Sequence, residues 1–144
     1  MVNTYTAPVQ PTAKHGQAAV RQTAYAIVTL TAAPLLNDVL NFGYMVPGNA
    51  RIHSAVLKAS DMDTSTGILI DIGDAGSATR YFSSSTVGQA GTVDVGLQAA
   101  GRFYLATAKT QILGLIHTAP SGTGSTGTVE LSIDYVVEDS ATSP

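Results

Sequence analysis

The stretch from Thr128 to Glu138, TVELSIDYVVE, leaves little choice about its own structure. Val129, Leu131, Ile133, Tyr135 and Val137 recur at every second position, with Glu130, Ser132, Asp134 and Glu138 between them, and only Val136 breaks the pattern. A period of two puts the first set on one face of a β-strand and the second on the other. One face is core and the other meets water, as in an antiparallel sheet covered on one side.

A second pair of strands is expected in Arg51 to Gly76. Ile68, Ile70 and Ile72 share one face there, opposite Leu69, Asp71 and Gly73. The preceding run alternates less cleanly, with Ile52 and Val56 on one side and His53, Ala55 and Leu57 on the other, and reads as a strand covered on both faces. Asp61 to Gly67 holds turn-forming residues, so these two strands are expected to pair as an antiparallel hairpin.

The remaining segments follow the same pattern. Ala18 to Thr31 carries helix formers early and strand formers from Tyr25. Val20, Gln22, Ala24, Ala26, Val28 and Leu30 fall on one face at period two, which favours a strand. Pro34 and Asn37 break it, and VLNFGYMV then leads into the turn Pro47-Gly48-Asn49. Further strands are expected at Thr79 to Phe82, weakly at Thr92 to Leu97, at Arg102 to Ala106 and at Thr110 to His117, with a loop at Ser83 to Gly91. Ala119 to Gly127, APSGTGSTG, has the chemistry of a flexible linker.

Eight or nine short strands with turn signals every 8 to 12 residues and no long helix predict an all-β fold, an antiparallel β-sandwich of jelly-roll type. The 144 residues fit one domain, spanning 18–140, and bury roughly 68 to 70% of the unfolded surface on the usual scaling. Residues 141–144 form a short tail. Met1 to Gln17, with Pro8 and Pro11, reads as an extended N-terminal arm. Two readings of the arm stand side by side: a loose terminus, or a segment that orders on a neighbouring subunit with Tyr5, Val9 and Pro11 against it.

Charged residues are only 12% of the chain, where about 25% is usual. Ser, Thr, Ala, Gly and Gln must therefore cover the surface, which lowers the desolvation cost of docking on another protein. That favours a component of an assembly. The net charge of -3 and the scattered positions of seven Lys and Arg give no footprint for nucleic acid. Without cysteine the fold relies on no disulfide or thiolate metal site. The amino terminus lacks the features of a signal peptide, and no run approaches the roughly 18 apolar residues of a membrane span. Synthesis in a cytoplasm and no membrane partner are expected.

The residues offer no catalytic, cofactor or metal motif. Asp61, Asp63, Ser65 and Gly67 imitate a calcium loop, but Thr66 stands where the EF-hand needs glycine and Ile72 where it needs glutamate. A polar hairpin turn is the favoured reading, with a loop calcium site using Asp61, Asp63 and Asp71 or Asp74 as the alternative. His15, His53 and His117 have no metal-ligand spacing. Ser83, Ser84 and Ser85 lie in no nucleophile elbow, and Gly73-Asp74-Ala75-Gly76 is followed by no lysine that would make it a phosphate loop. An enzyme is not expected, unless carboxylates pair across strands.

Three segments, VPGNARIHSAVLKASDMDTS, ILIDIGDAGSATRYF and GRFYLATAKTQILGLIHTAPSGTGSTGTVELSIDYVVE, resemble the small head proteins of tailed bacteriophages known as decoration, cement or capsid-stabilising proteins. The likeness covers residues 25–138 as a series of short motifs. It implies a non-enzymatic virion protein without cofactor, made in the host cytoplasm. Such a protein binds the capsid exterior as a dimer or trimer, has the major capsid protein as partner, and stabilises the shell by bridging its subunits. Two other classes fit the same residues: a glycan-binding sandwich presenting Tyr44, Tyr81, Phe82 and Tyr104, or another minor head or tail component.

Overall fold

The computed structural model describes residues 2–7 and 20–138. Among them are ten strands: β1 (Thr4–Thr6), β2 (Arg21–Leu30), β3 (Val39–Val46), β4 (Ala50–Ala59), β5 (Leu69–Asp74), β6 (Ser77–Ser85), β7 (Val93–Asp94), β8 (Leu105–Ala106), β9 (Thr110–Thr118) and β10 (Gly127–Val137). A single helical turn, α1 (Val87–Ala90), follows β6. The strands form two sheets, one ordered β1-β3-β9-β5-β6 and the other β2-β10-β4-β7, with β8 paired to one end of β4. All pairs are antiparallel except β1 with β3. The fold is the expected β-sandwich.

β10 owes its place at the centre of its sheet to the alternation that marked it in sequence. Val129, Leu131, Ile133, Tyr135 and Val137 are all buried, while both edges of the strand hydrogen-bond, to β2 on one side and β4 on the other. Ala26, Val28 and Leu30 of β2 join them, and Phe42, Ile72 and Ile116 close the core from the facing sheet. Burial of this apolar set is the main force holding the sheets together.

β4 departs from the expectation of two-sided burial. Its ladder with β10 runs Ala55 to Ile133, Ser54 to Asp134 and then Ile52 to Tyr135, so His53 is an extra residue, a β-bulge. On the far side of the bulge the alternation resumes one step out of phase. Ala50, Ile52, Ala55, Leu57 and Ala59 all point inward, and Val56 is 39% exposed. One face is covered, not two.

The expected β4–β5 hairpin does not form. β4 lies in the β10 sheet and β5 in the β9 sheet, so Ser60 to Ile68 carries the chain across the sandwich. Crossing places one strand in each sheet, so that the inward faces of β4 and β5 lie on opposite sides of the core. The hairpin partner of β5 is β6, joined by a turn that begins at Asp74. Gly73 is required there: a β-carbon would sit 2.1 Å from the Ser77 carbonyl oxygen.

Other boundaries also shift. β6 extends to Ser85 and α1 (Val87–Ala90) occupies the later part of the expected Ser83 to Gly91 loop. Arg102 and Phe103 are turn, Tyr104 is irregular, and only Leu105–Ala106 of the expected strand pairs. Of the predicted arm, residues 2–7 are described, and they include β1. Val39 N–H donates to the Asn3 carbonyl at 2.8 Å and Ala7 N–H to Asn41 at 3.0 Å. No helix is long and apolar enough to cross a membrane among the described residues.

Candidate functional site

The acidic turn that imitated a calcium loop is built to hold a carboxylate, not a cation. Asp63 is buried, and its oxygens accept five backbone N–H bonds: Ser65 at 2.9 Å, Gly67 at 2.8 Å, Ile68 at 3.0 Å, Ser121 at 3.1 Å and Gly122 at 3.0 Å. Burial alone would raise its pKa, but the amides of Ser65, Gly67, Gly122 and Ser121 outweigh it and hold the carboxyl well below the ordinary range. With its lone pairs turned to amides, Asp63 pins the 61–68 crossover to the Gly/Ser/Thr loop before β10. Asp74 is similarly engaged, accepting from the Gly76 and Ser77 amides, Arg80 Nε at 2.8 Å and the Tyr81 hydroxyl at 3.0 Å. Among the described residues no group of three or more His, Cys, Asp or Glu is placed to hold a metal ion.

The two described histidines, His53 on β4 and His117 on β9, lie in different sheets. His15 lies outside the described residues. His117 Nδ1 is 2.8 Å from Asp71 Oδ2, across the β5–β9 ladder. Ser84 meets the same carboxylate through its amide, at 2.7 Å, so this cluster is a main-chain tie rather than a hydroxyl–imidazole pair. His53, in the β4 bulge, packs edge-on against Phe103 with ring centroids 5.6 Å apart.

The aromatic residues suited to sugar stacking are dispersed. Tyr81 and Phe82 are inside the core, 0% and 1% exposed. Tyr44 and Tyr104 line an open depression of about 320 Å³ with Lys109, Gln111 and the Asp74–Gly76 turn. Each carries a cation on its face: Lys109 Nζ lies 5.1 Å from the Tyr44 ring centre, and the Arg80 guanidinium carbon lies 3.8 Å from that of Tyr104. Those faces are already occupied.

Of the contact residues predicted in the arm, Tyr5 is buried in the chain's own core, because β1 completes the edge of the β9 sheet. It is not free to meet a partner. Val9 and Pro11 lie outside the described residues. Exposed apolar side chains lie elsewhere too, among them Leu35 and Leu36 before β3, Tyr25, Val56 and Val93 across the outer face of the β10 sheet, Val95 just beyond β7, and Phe103 in the turn before β8.

The Phe103 turn is the most tightly determined of these. Phe103 adopts φ of 61° with 55% of its surface exposed. Its N–H donates to the Ile52 carbonyl at 2.9 Å, and its own carbonyl accepts from Arg51 Nη1 at 2.8 Å. Arg51 is in turn gripped by both carboxylate oxygens of Glu138. Hydrogen bonding to Arg51 holds the Glu138 carboxyl below its ordinary pKa. Sequence reading missed this turn, since nothing in Gly101-Arg102-Phe103-Tyr104 marks a left-handed phenylalanine.

No protein-family model matches the sequence, and no curated protein matches it. Solved structures do. A chain of the cyanophage Pam1 capsid asymmetric unit aligns at 27% identity and a TM-score of 0.67, covering 88% of this chain and 91% of its own. A chain of the Ralstonia phage GP4 capsid aligns at 25% identity and a TM-score of 0.76, covering 95% and 99%. These likenesses support a phage capsid-related structural role. A chain of the acid-stable capsid of Helicobacter pylori bacteriophage KHP30, at 15% identity and a TM-score of 0.52, shares the fold over 84% of this chain. The Pam1 and GP4 capsid chains also support a place in the virion.

Proposed function

We propose that the protein is a non-enzymatic virion component that binds the outer surface of a tailed-phage capsid as a dimer or trimer and stabilises the shell by bridging its subunits. The observation that carries this is the coverage of the capsid matches. Each matched chain is spanned over nine-tenths or more of its own length, so each is itself a short sandwich of about this size. A chain that small and that neutral is suited to sit on a shell.

The strand order supports the jelly-roll part of the reading. Leaving out β1 and β8, the chain visits the β10 sheet with β2, β4, β7 and β10, and the β9 sheet with β3, β5, β6 and β9. Two four-stranded sheets linked by sheet-to-sheet crossings are what paired Greek keys produce. In this reading Val9 and Pro11 are contacts to the shell.

Co-sedimentation with heads of the cognate phage that lack the protein is the test. Saturation at a fixed ratio, with many copies per particle, is the expected result. Ser replacements at Val9 and Pro11 are expected to weaken binding while leaving β1 in place, which deleting Met1 to Gln17 would not. A few copies per particle would assign the protein to a tail or head-completion position instead, and no binding would overturn the proposal.

A further inference from the structure

Four residues other than glycine have positive φ among the described residues: Asn37, Asn49, Ser84 and Phe103. The two asparagines belong to the type that tolerates this region, and Ser84 is small and tied to Asp71. Phe103 has no such excuse, because a bulky ring in the left-handed region is an outlier. The same residue leaves more than half of its surface in water. Both features are penalties for the isolated chain, and strained positions of this kind collect where binding is done.

The surroundings hold the ring there. Ile52 takes the Phe103 amide and gives its own to the Tyr104 carbonyl at 3.0 Å, so the turn is stitched to β4 on both sides. Arg51, locked by Glu138, holds the Phe103 carbonyl. Gly101 lets the turn press against β6, since a β-carbon would lie 2.7 Å from the Arg80 carbonyl oxygen. The bulge at His53 supplies a ring that buttresses one edge of Phe103. Pre-setting an apolar group in this way removes the ordering cost that binding would otherwise incur.

We propose that Phe103 is a fixed anchor that inserts into an apolar recess on the shell subunit, and that Arg102 pairs with a carboxylate at the rim of that recess. Arg102 is exposed and makes no ion pair among the described residues, which is the evidence for an acidic rim. Aromatic and arginine side chains are the groups that dominate interface energetics. A two-fold contact between copies centred on this turn would set each Arg102 against its own copy, a repulsive arrangement. The inference rests on the capsid-binding function proposed above.

The test compares the wild-type protein with Phe103→Gly, Arg102→Glu and Val95→Ser in binding to heads lacking the protein, with a thermal melt of each. Glycine relieves the left-handed backbone, so F103G is expected to melt at or above the wild-type temperature and to bind at least about tenfold more weakly. R102E is expected to weaken binding, and V95S to leave it unchanged. If the wild-type protein does not bind, the capsid-binding function fails and the anchor with it. If it binds and F103G binds equally well, the anchor alone is overturned. A lower melting temperature for F103G assigns the ring to monomer stability, and a changed oligomeric state in sedimentation assigns the recess to a second copy; either result overturns the proposal.

Discussion

Asp63 shows how one side chain can organise a crossover. Five amides from two loops converge on it, at distances from 2.8 to 3.1 Å. Asparagine at this position keeps the shape but would turn an N–H2 group toward amide donors, so both acceptor capacity and charge are lost at once. Asp63→Asn is expected to lower Tm by roughly 10 °C at neutral pH. The pH dependence has a definite sign. The folded carboxyl titrates below its ordinary value of 3.8, so its contribution is complete above that range and is lost as the pH falls beneath it. The gap between the melts of the two proteins should therefore be constant from neutral pH to about pH 5 and begin to narrow toward about pH 3. A gap that stays constant would show that the ionised carboxylate is not what closes the loops.

At the scale of the element, β4 explains both what the sequence disclosed and what it hid. β10 and β2 were legible because the alternation of β10 is broken only at Val136, that of β2 firms from Tyr25, and their mutual ladder has no register shift. β4 was misread as buried on both faces because one residue, His53, is surplus to the pairing. Striking it from the text leaves Ala50, Ile52, Ala55, Leu57 and Ala59 in strict alternation with Arg51, Ser54, Val56 and Lys58. A chain lacking His53 is therefore expected to keep the sandwich, with every core residue still facing inward, and to change Tm by only a few degrees. Deleting Ser54 instead, with His53 left to be absorbed into the ladder, makes a direct comparison of bulge with polar surface position. Circular dichroism and urea unfolding of the His53 deletion would settle it: loss of the cooperative transition would mean that the bulge sets the register of the sheet. The hairpin that failed to form was hidden for a different reason. A polar turn between two strands is equally compatible with a return within one sheet and a crossing to the other, and only the partner sheet decides.

For the whole molecule, the fold class was legible from period and turn chemistry, whereas the interaction surface was not. The motif-like acidic loop proved internal, His53 and His117 fell in different sheets, and Tyr5 was drawn into the core by a three-residue strand too short to signal itself. What survives as surface is sparsely charged, because Asp63, Asp71 and Asp74 are committed to internal partners and Arg51 and Arg80 are paired. A contact built from such a surface depends on apolar burial and a few rim charges, and salt screens only the latter. Binding to the shell is therefore expected to weaken by less than about tenfold between roughly 0.05 and 0.5 M salt. Linkage then fixes a second observable: a protein that binds the intact shell and not its separated subunits stabilises the shell by mass action, about 2.7 kcal/mol per site at a hundredfold excess over Kd. Heads titrated with the protein should resist heat progressively better and stop gaining at the ratio where binding saturates, and chelators should leave that gain intact. Heat resistance that saturates with binding but collapses in moderate salt would mean that charge, and not the neutral face of the sandwich, makes the contact. Saturated binding with no gain in heat resistance would mean that the protein occupies the shell without bridging its subunits.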